Sequence, residues 1–382
     1  MNFIYNPRYP SVNDLKKRAK KRIPKFAYDY LVGGCNDEIS LARNYQDISA
    51  VQLRSELMKP FSQSDMTVNL FGHQYSAPFG IAPVGLQGLM WPKAPEILAK
   101  AALELNIPYV LSTVSSSSLE SISCISEGRA WYQLYNPTEA SIRKDLLSRL
   151  KAAQYSVLVV TVDVPTFGYR HRDIRNGLSM PPRMSVKNIL QMLSCPSWLF
   201  QTILAGKPQM ETLKPYMPKG MPVDELANFM NKTVMGAVDS EHLKWLRDEW
   251  PGTLIIKGLI NEVDVEYAVA LGVDGVVISN HGGRQLDAGE SPIEPLKRIS
   301  NLYSDKVKII MDSGLNSGPN IACAIACGAH FTLLGRAFVY GVSALGSKGA
   351  HHTINILKSQ LYQTLNQLRC EKISDLPKYL VG

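Results

Sequence analysis

The sequence contains no long hydrophobic run, few charged residues and no dense set of cysteines. No window of about 18 uncharged apolar residues occurs, which argues against a membrane-spanning helix. The N-terminus carries charge where a secretory signal would be apolar, so export is not expected. The 6 cysteines are spread over 382 residues, a length that does not need disulfides, so a reducing compartment is the default. With 45% hydrophobic and only 19% charged residues, the chain is not a disordered protein.

Several ligand-binding motifs are also missing. No G-x-G-x-x-G opens a helix after a strand, and Gly341–Lys348 lacks the ending of a phosphate-binding loop, so NAD binding through a Rossmann motif is unsupported. Cys323 and Cys327 have no second ligand pair nearby, and no metal site is expected. The net charge of +8 favours anionic partners but does not indicate nucleic acid.

After about residue 75, short apolar runs alternate with polar or glycine-containing joints and helix-like stretches, as in repeated βα units. Several runs are continuously apolar, which is typical of parallel strands covered on both faces. A count of eight favours a closed (β/α)₈ barrel, the TIM barrel of the α/β class, over an open doubly wound sheet. The runs are Pro78–Pro83, Pro108–Thr113, Ala130–Tyr135, Ser156–Asp163, Thr253–Gly258, Gly275–Asn280, Lys308–Ser313 and Phe331–Arg336.

We expect one domain over residues 1–382 with three additions to the barrel. Residues 1–75 would form an N-terminal helical collar, with one helix after Ser11 and another from Pro24 to Leu31. The barrel would span 76–340, interrupted after its fourth strand by a long insertion at 166–240, and helices would fill 341–382.

Two segments leave alternatives open. Val186–Lys207, inside the insertion, is apolar with few charges, so an amphipathic membrane anchor and a packed insertion are about equally consistent with it. The basic block Lys16–Lys25 could meet anionic lipid or nucleic acid, but such blocks are more often solvated helix faces.

The most informative segment is SNHGGRQLD at 279–287, at the end of the sixth run. It places His281 three residues before Arg284 on a glycine turn, where backbone can approach a planar ligand closely. A histidine can accept a proton near neutral pH, and an arginine can hold a carboxylate through two hydrogen bonds. The position at a strand end favours a catalytic role over a capped surface turn.

This segment resembles the active-site signature of the FMN-dependent α-hydroxy acid dehydrogenases and oxidases. PKFAYDYLVGG, APVGLQGLMWPK, WYQLY, TVDVPTFGYRHRD and LLGRAF occur in family order, so the resemblance covers nearly the whole chain. WPK and GYRHRD are most similar to the membrane-associated mandelate and lactate dehydrogenases.

The resemblance implies a reaction and its partners. The substrate would be an L-2-hydroxy acid of the L-lactate or (S)-mandelate type, oxidised to the 2-oxo acid with FMN as cofactor. Electrons would pass to a quinone or another respiratory acceptor; the alternative is an oxidase that produces hydrogen peroxide, whereas a non-enzymatic scaffold has little support. A homo-oligomer, by family resemblance a tetramer, is implied on the cytoplasmic side, with peripheral membrane attachment as a candidate and no nucleic-acid partner.

The resemblance also assigns catalytic and substrate-binding residues. His281 would take the substrate proton, and Asp163 would orient and stabilise its imidazolium. Tyr135 would steady the hydroxyl, and the substrate carboxylate would bind Arg284 and Arg170 with Tyr30 beside them. Arg172 and Asp173 would form a supporting ion pair in the same loop.

The remaining assignments concern the cofactor and two subclass positions. Gly85 and Val114 depart from the Ala and Trp of glycolate oxidases. Family members commonly carry Arg where this chain has Asn316, so weaker FMN retention is expected. The flavin ring would contact Pro83, Val84, Gly85, Ser112, Gln133, Thr161, Lys257 and Ser279, and the phosphate end would contact Asp312, Ser313, Gly314, Asn316, Gly335 and Arg336.

Overall fold

The computed structural model describes residues 3–177, 185–218, 229, 233, 234 and 236–381. A short antiparallel hairpin, β1 and β2, precedes eight parallel barrel strands, β3 to β10. Each barrel strand pairs with the next one along the chain from β4 to β10, and β10 pairs with β3. A parallel bridge between Ile81 and Tyr109 joins the remaining two edges. The strands are Val68–Leu70, His73–Tyr75, Phe79–Ile81, Val110–Ser112, Trp131–Leu134, Val157–Thr161, Thr253–Leu259, Gly275–Ile278, Lys308–Met311 and Phe331–Leu334.

The predicted (β/α)₈ barrel is therefore confirmed. Seven of the eight predicted apolar runs contain a whole strand, and the strand of the run Thr253–Gly258 extends one residue further, to Leu259. Their continuous hydrophobicity has the expected cause, because alternate side chains serve two cores. In β6, Val157 and Val159 join a cluster that includes Tyr75 of the hairpin, whereas Leu158 and Val160 pack in the larger core shared with the helices. The hairpin thus closes the amino-terminal end of the barrel, opposite the ends where the loops converge.

Sixteen α-helices, α1 to α16, lie in the described part of the chain. Several begin at a side chain that accepts a backbone N–H, as Ser11 does from Asp14 at 3.2 Å. In chain order they are Val12–Lys20, Lys25–Val32, Ile39–Ala50, Gln87–Met90, Ala94–Glu104, Leu119–Ser126, Ala140–Ala152, His171–Arg175, Val186–Leu193, Pro196–Ala205, Ser240–Glu249, Glu262–Ala270, Ile293–Tyr303, Gly318–Ala326, Arg336–Leu345 and Gly349–Leu368. Short 3₁₀ turns occur at Lys214–Tyr216, Gly346–Lys348 and Ile373–Tyr379.

The collar contains the two predicted helices, α1 and α2, together with two elements that the sequence did not predict. These are helix α3 and the β1–β2 hairpin. Helix α3 begins after Glu38, which has a left-handed φ of 64° and makes no side-chain cap, so the usual start signal is absent. The insertion follows β6 and includes α8, α9 and α10; parts of it lie outside the described residues. No described helix is long and apolar enough to cross a bilayer.

Candidate active site

A cavity of about 500 Å³ lies where the barrel strands end. This volume falls within the roughly 300–1,000 Å³ typical of ligand-binding pockets. Its walls come from the loops after the strands, from α2 and α3 of the collar, and from the insertion. Eighteen of the twenty residues that the sequence assigned to catalysis, substrate or cofactor line it: Tyr30, Pro83, Val84, Gly85, Ser112, Gln133, Tyr135, Thr161, Arg170, Lys257, His281, Arg284, Asp312, Ser313, Gly314, Asn316, Gly335 and Arg336.

Two of the predicted residues stand behind this lining instead of in it. Asp163 follows β6 and lies 2.9 Å from the cavity-lining His281, measured from Oδ1 to Nδ1. Ser279 follows β8 and accepts a hydrogen bond from Lys257 Nζ at 3.0 Å. The contact of Ser279 with the cofactor stays a prediction; in the structure Ser279 contacts a lysine that lines the cavity.

The environment of the His281–Asp163 pair keeps the histidine neutral and the carboxylate charged. Burial lowers the pKa of His281, and the opposing attraction of Asp163 does not fully offset it. Burial alone would raise the pKa of Asp163, but the nearby His281 and Lys257 hold it below its ordinary value. Because Asp163 accepts at Nδ1, the proton of the neutral ring sits on that nitrogen, and Nε2 keeps its lone pair.

Gly258 makes room for Asp163. Its φ is +106°, in the left-handed region, and a Cβ there would lie 2.4 Å from Asp163 Cγ. Gly258 ends the fifth apolar run of the sequence, but the reason for a glycine at this position becomes visible only in the folded chain.

Every polar side chain of the 279–287 segment makes a contact that holds the site together. Asn280 and Asn44 of α3 exchange side-chain hydrogen bonds at 2.7 and 2.9 Å. Gln285 donates to the carbonyls of Asp163 and Thr166, at 3.1 and 2.9 Å, and so fixes the loop after β6.

The last acidic residue of this segment anchors the start of α3. Asp287 accepts the backbone N–H groups of Asp37 and Ser40 at 3.0 and 2.9 Å. The signature therefore attaches both the collar and the insertion to the histidine turn.

The carboxyl-terminal end of α2 presents backbone carbonyls to two guanidinium groups. Arg284 donates from Nη1 to the carbonyls of Tyr30 and Gly33, both at 2.8 Å. Arg336 donates to the carbonyls of Leu31 and Gly33 at 3.0 and 2.9 Å. The final carbonyls of a helix lack partners within it and carry partial negative charge, so this end of α2 suits cations. These contacts hold Tyr30 against Arg284, whose guanidinium carbon lies 4.9 Å from the ring centre.

The two arginines assigned to the substrate lie close enough to repel each other. Burial and the nearby Arg170 lower the pKa of Arg284 to about 9, which still leaves it charged at neutral pH. Arg284 Nη2 and Arg170 Nε are buried without a hydrogen-bond partner among the described residues. Unpaired buried donors of this charge are costly, so the arrangement calls for an anionic ligand.

The supporting pair expected between Arg172 and Asp173 is not formed, because neighbouring side chains on this short helix turn in different directions. Arg172 instead pairs with Glu38 of the collar. Asp173 faces the cavity and lies 3.9 Å from Arg170, and burial raises its pKa.

Lys257 is a buried cation held by fixed partners. Its Nζ lies 3.1 Å from Asp312 Oδ2 and donates to Ser279. Burial alone would lower the pKa of Lys257, but Asp312 and Asp163 raise it overall, so the ammonium stays charged.

Sequence reasoning missed several residues that line the cavity. Tyr45 comes from the unpredicted helix α3, and Met210 comes from the insertion. Phe167, Tyr169 and Ile174 also line the cavity and remain partly exposed, so they form its outer rim. Only the length of the insertion signalled that it could carry pocket residues.

Comparison with known proteins identifies the family. The family model described as FMN-dependent dehydrogenase matches residues 19–382. The chain belongs to the FMN-dependent dehydrogenase family. It is 35% identical to an L-lactate dehydrogenase of Actinobacillus pleuropneumoniae, with 96% of this chain and 97% of that protein covered. It is also 35% identical to an (S)-mandelate dehydrogenase of Pseudomonas putida, with coverage of 97% and 93%.

Solved structures of the family agree with the fold. The monotopic membrane protein (S)-mandelate dehydrogenase superposes with a TM-score of 0.91 at 35% identity, covering 97% of this chain and 98% of that one. A mandelate oxidase superposes with a TM-score of 0.83 at 27% identity, covering 98% of both chains. The expected family, oxidoreductase activity on a CH–OH group and FMN dependence are thereby confirmed.

The polar groups of the cavity are chemically suited to bind the flavin ring of FMN. Ser112 donates to Gln133 Oε1 at 3.0 Å, which leaves Gln133 Nε2 buried without a partner in the described part of the chain. A donor of this kind matches a ring carbonyl, and the charged Lys257 suits the negative charge that a reduced flavin carries. Gly314 and Gly335, after β9 and β10, lie where barrels commonly bind phosphate.

Helices α9 and α10 carry an exposed apolar surface, which we call the apolar helix pair (186–205). Trp198 anchors it by donating to the Leu89 carbonyl at 3.1 Å and packing edge-on against Phe26. The basic block Lys16–Lys25 reaches it at one point, since Arg22 donates to Ser197 at 3.3 Å. Large side chains of the pair remain exposed to solvent: Val186, Ile189, Leu190, Leu193, Phe200, Ile203 and Leu204.

Proposed function

We propose that this family member oxidises an L-2-hydroxy acid of the L-lactate or (S)-mandelate type and passes the electrons to a quinone or another respiratory acceptor. The observation that carries the proposal is the cavity itself. It contains the buried His281–Asp163 pair together with Arg284 and Arg170, each of which has a buried nitrogen without a hydrogen-bond partner among the described residues. This arrangement supports a base next to a carboxylate-binding group, as the oxidation of a 2-hydroxy acid requires.

Binding begins with the substrate carboxylate at Arg284 and Arg170. The free nitrogens of these guanidiniums supply donors, and the carboxylate relieves their mutual repulsion. Burial raises the pKa of Tyr135, so its phenol stays protonated and can donate to the substrate hydroxyl. These contacts orient the α-carbon towards the interior of the cavity.

His281 then accepts the proton that the substrate releases as its α-carbon is oxidised. Neutral Nε2 receives the proton, and the carboxylate of Asp163 stabilises the resulting imidazolium across 2.9 Å. FMN, when bound, would accept the two electrons together with the second proton, as a hydride or its equivalent. The residues that would hold its ring include Gln133, Ser112 and Lys257.

An apolar side of the cavity supports a substrate with an apolar substituent. Val114, Phe167, Ile174 and Met210 all line it. A Cβ on Gly85 would lie 2.7 Å from Val114 Cγ2, so glycine at position 85 leaves room for the Val114 side chain. Both L-lactate and (S)-mandelate satisfy this chemistry.

Anaerobic reduction of the bound flavin by a panel of 2-hydroxy acids tests the activity. We expect loss of visible absorbance with L-lactate or (S)-mandelate and none with the opposite enantiomers. No bleaching by any L-2-hydroxy acid would contradict the proposal. The similarity to mandelate oxidase makes oxygen the second candidate acceptor. Reoxidation by oxygen, with hydrogen peroxide formed as fast as a quinone analogue is reduced, would favour the oxidase.

We also propose that the protein attaches peripherally to the cytoplasmic face of a membrane. We further propose that it forms a homo-oligomer, a tetramer, whose mass light scattering would measure. The apolar helix pair and the basic block Lys16–Lys25, which contacts it through Arg22, support attachment, and a relative at 35% identity is a monotopic membrane protein.

Serine substitutions test this attachment directly. Replacing Leu190, Leu193 and Ile203 together by Ser should move the protein from the membrane to the soluble fraction. Val263 and Leu302 are exposed elsewhere on the barrel, and their replacement by Ser serves as the control. An unchanged distribution of the triple variant would contradict attachment through the apolar helix pair.

A further inference from the structure

The phosphate end of the cavity contains fewer free positive groups than a phosphate monoester would ordinarily attract. Arg336 is the cation beside Gly314 and Gly335 in the cavity lining. Two of its three side-chain nitrogens already donate to carbonyls at the end of α2, which leaves Nη1. Lys257 is held by Asp312 and Ser279. A phosphate with a charge of about −1.5 to −2 therefore meets one partly occupied guanidinium here.

Helix α3 of the collar supplies an uncharged donor at the same end. A Cβ on Gly314 would lie 2.5 Å from the carbonyl oxygen of Asn44, so α3 passes directly over this turn. The next residue, Tyr45, lines the cavity, and the side-chain hydrogen bond made to it within the described part of the chain, from Ser49 Oγ, goes to its backbone carbonyl and not to its hydroxyl.

The position of Tyr45 is fixed by contacts that do not depend on a ligand. The reciprocal hydrogen bonds between Asn44 and Asn280 tie α3 to the turn that carries His281. Tyr45 is thus presented to the cavity by a helix that the barrel holds rigidly.

Asn316 offers a second uncharged group. Its backbone N–H donates to Asn320 Oδ1 at 3.2 Å, so that amide belongs to the turn that starts α14. Its side chain lines the cavity between Gly314 and the helix. An amide nitrogen and a phenol can both donate to phosphate oxygens without adding charge.

We propose that Tyr45 and Asn316 share recognition of the FMN phosphate with Arg336, so that uncharged donors, one of them from the collar, replace a second cation. The inference rests on the FMN dependence of the family. It implies that the phosphate contributes less to cofactor affinity in this chain than a pair of guanidiniums would provide.

Comparison of FMN with riboflavin, which lacks the phosphate, tests this inference without turnover. Apoprotein prepared by removing the flavin is titrated with each compound, and quenching of flavin fluorescence gives the affinity. Tyr45→Phe should weaken FMN binding by about tenfold, the loss of one hydrogen bond to a charged group, and leave riboflavin binding unchanged. Asn316→Arg should tighten FMN binding by at least about tenfold and make it more sensitive to salt, again without an effect on riboflavin.

The exposed Tyr5 provides the matched control, because Tyr5→Phe removes a phenol that does not line the cavity. Equal effects of Tyr45→Phe on both compounds would indicate a structural role, and no effect on either would remove Tyr45 from the site; each result overturns the proposal. If Tyr45→Phe fails to fold, Asn316→Arg still tests the proposal. An unchanged FMN affinity in Asn316→Arg would refute the argument that the phosphate end lacks a second cation. Wild-type apoprotein that binds neither compound would contradict the cofactor assignment as well.

Discussion

Removing the charge of Asp163 separates its proposed role from that of His281. In Asp163→Asn, the amide keeps the size of the side chain but no longer stabilises an imidazolium across 2.9 Å. A hydrogen bond to a charged group contributes about 1.5–3 kcal/mol, which corresponds to a loss of roughly 10- to 150-fold in rate. The maximal rate of flavin reduction should therefore fall by one to two orders of magnitude.

The pH dependence of this variant has a definite sign. His281 must be neutral to accept a proton, so the rate falls below the pKa of His281, which burial already lowers. Asp163 raises that pKa in the wild type, so its neutralisation should lower the pKa further. The acid limb of the rate profile should move to lower pH while the plateau drops.

Anaerobic stopped-flow measurement of flavin reduction at saturating substrate, from roughly pH 5 to 9, checks both expectations. Asp248→Asn, the same chemical change on the exposed face of α11, should leave plateau and limb in place. An acid limb that moves to higher pH, or a plateau within about threefold of the wild type, would refute the role given to Asp163.

Two further changes test the packing around the site and beneath the barrel. Gly258→Ala should displace Asp163, lower the rate of flavin reduction and cost about 1–2 kcal/mol of unfolding free energy. Gly272→Ala is the control: its φ is also positive, but open space surrounds it, so it should lower thermal stability alone. Equal reduction rates in the two variants would contradict this interpretation. Lys358 is buried, donates to Ser76 at 2.7 Å, and burial lowers its pKa to about 8. Its protonated form therefore destabilises the fold below pH 8, a penalty of about 3 kcal/mol that fades as pH rises towards the ordinary lysine pKa. Lys358→Met should gain stability relative to the wild type at pH 7 and lose about 2 kcal/mol of that difference by about pH 9.5 in urea denaturation; a difference independent of pH would be evidence against it.

The strands and most of the site could be predicted because the signals are local. Continuous apolar runs such as 157–161 fix buried parallel strands, and a polar residue at the end of each run falls on the ligand-binding face. Helix α1 was predictable from the Ser11 cap, whereas α3 starts at a left-handed Glu38 without one. Tyr45 was missed together with that helix.

Sequence by itself determined that the chain forms a barrel and which residue types its strand ends carry, because apolar periodicity and motif spacing are properties of neighbouring residues. FMN as the cofactor came from the family resemblance of those motifs. Tertiary structure alone decided which of these groups meet. His281 and Asp163 are 118 positions apart, and Arg284 binds the Tyr30 carbonyl across 254. Barrel closure and collar docking bring such pairs together, and burial at the shared end of the strands then shifts their pKa values. Both effects depend on distances in space that spacing along the chain does not encode.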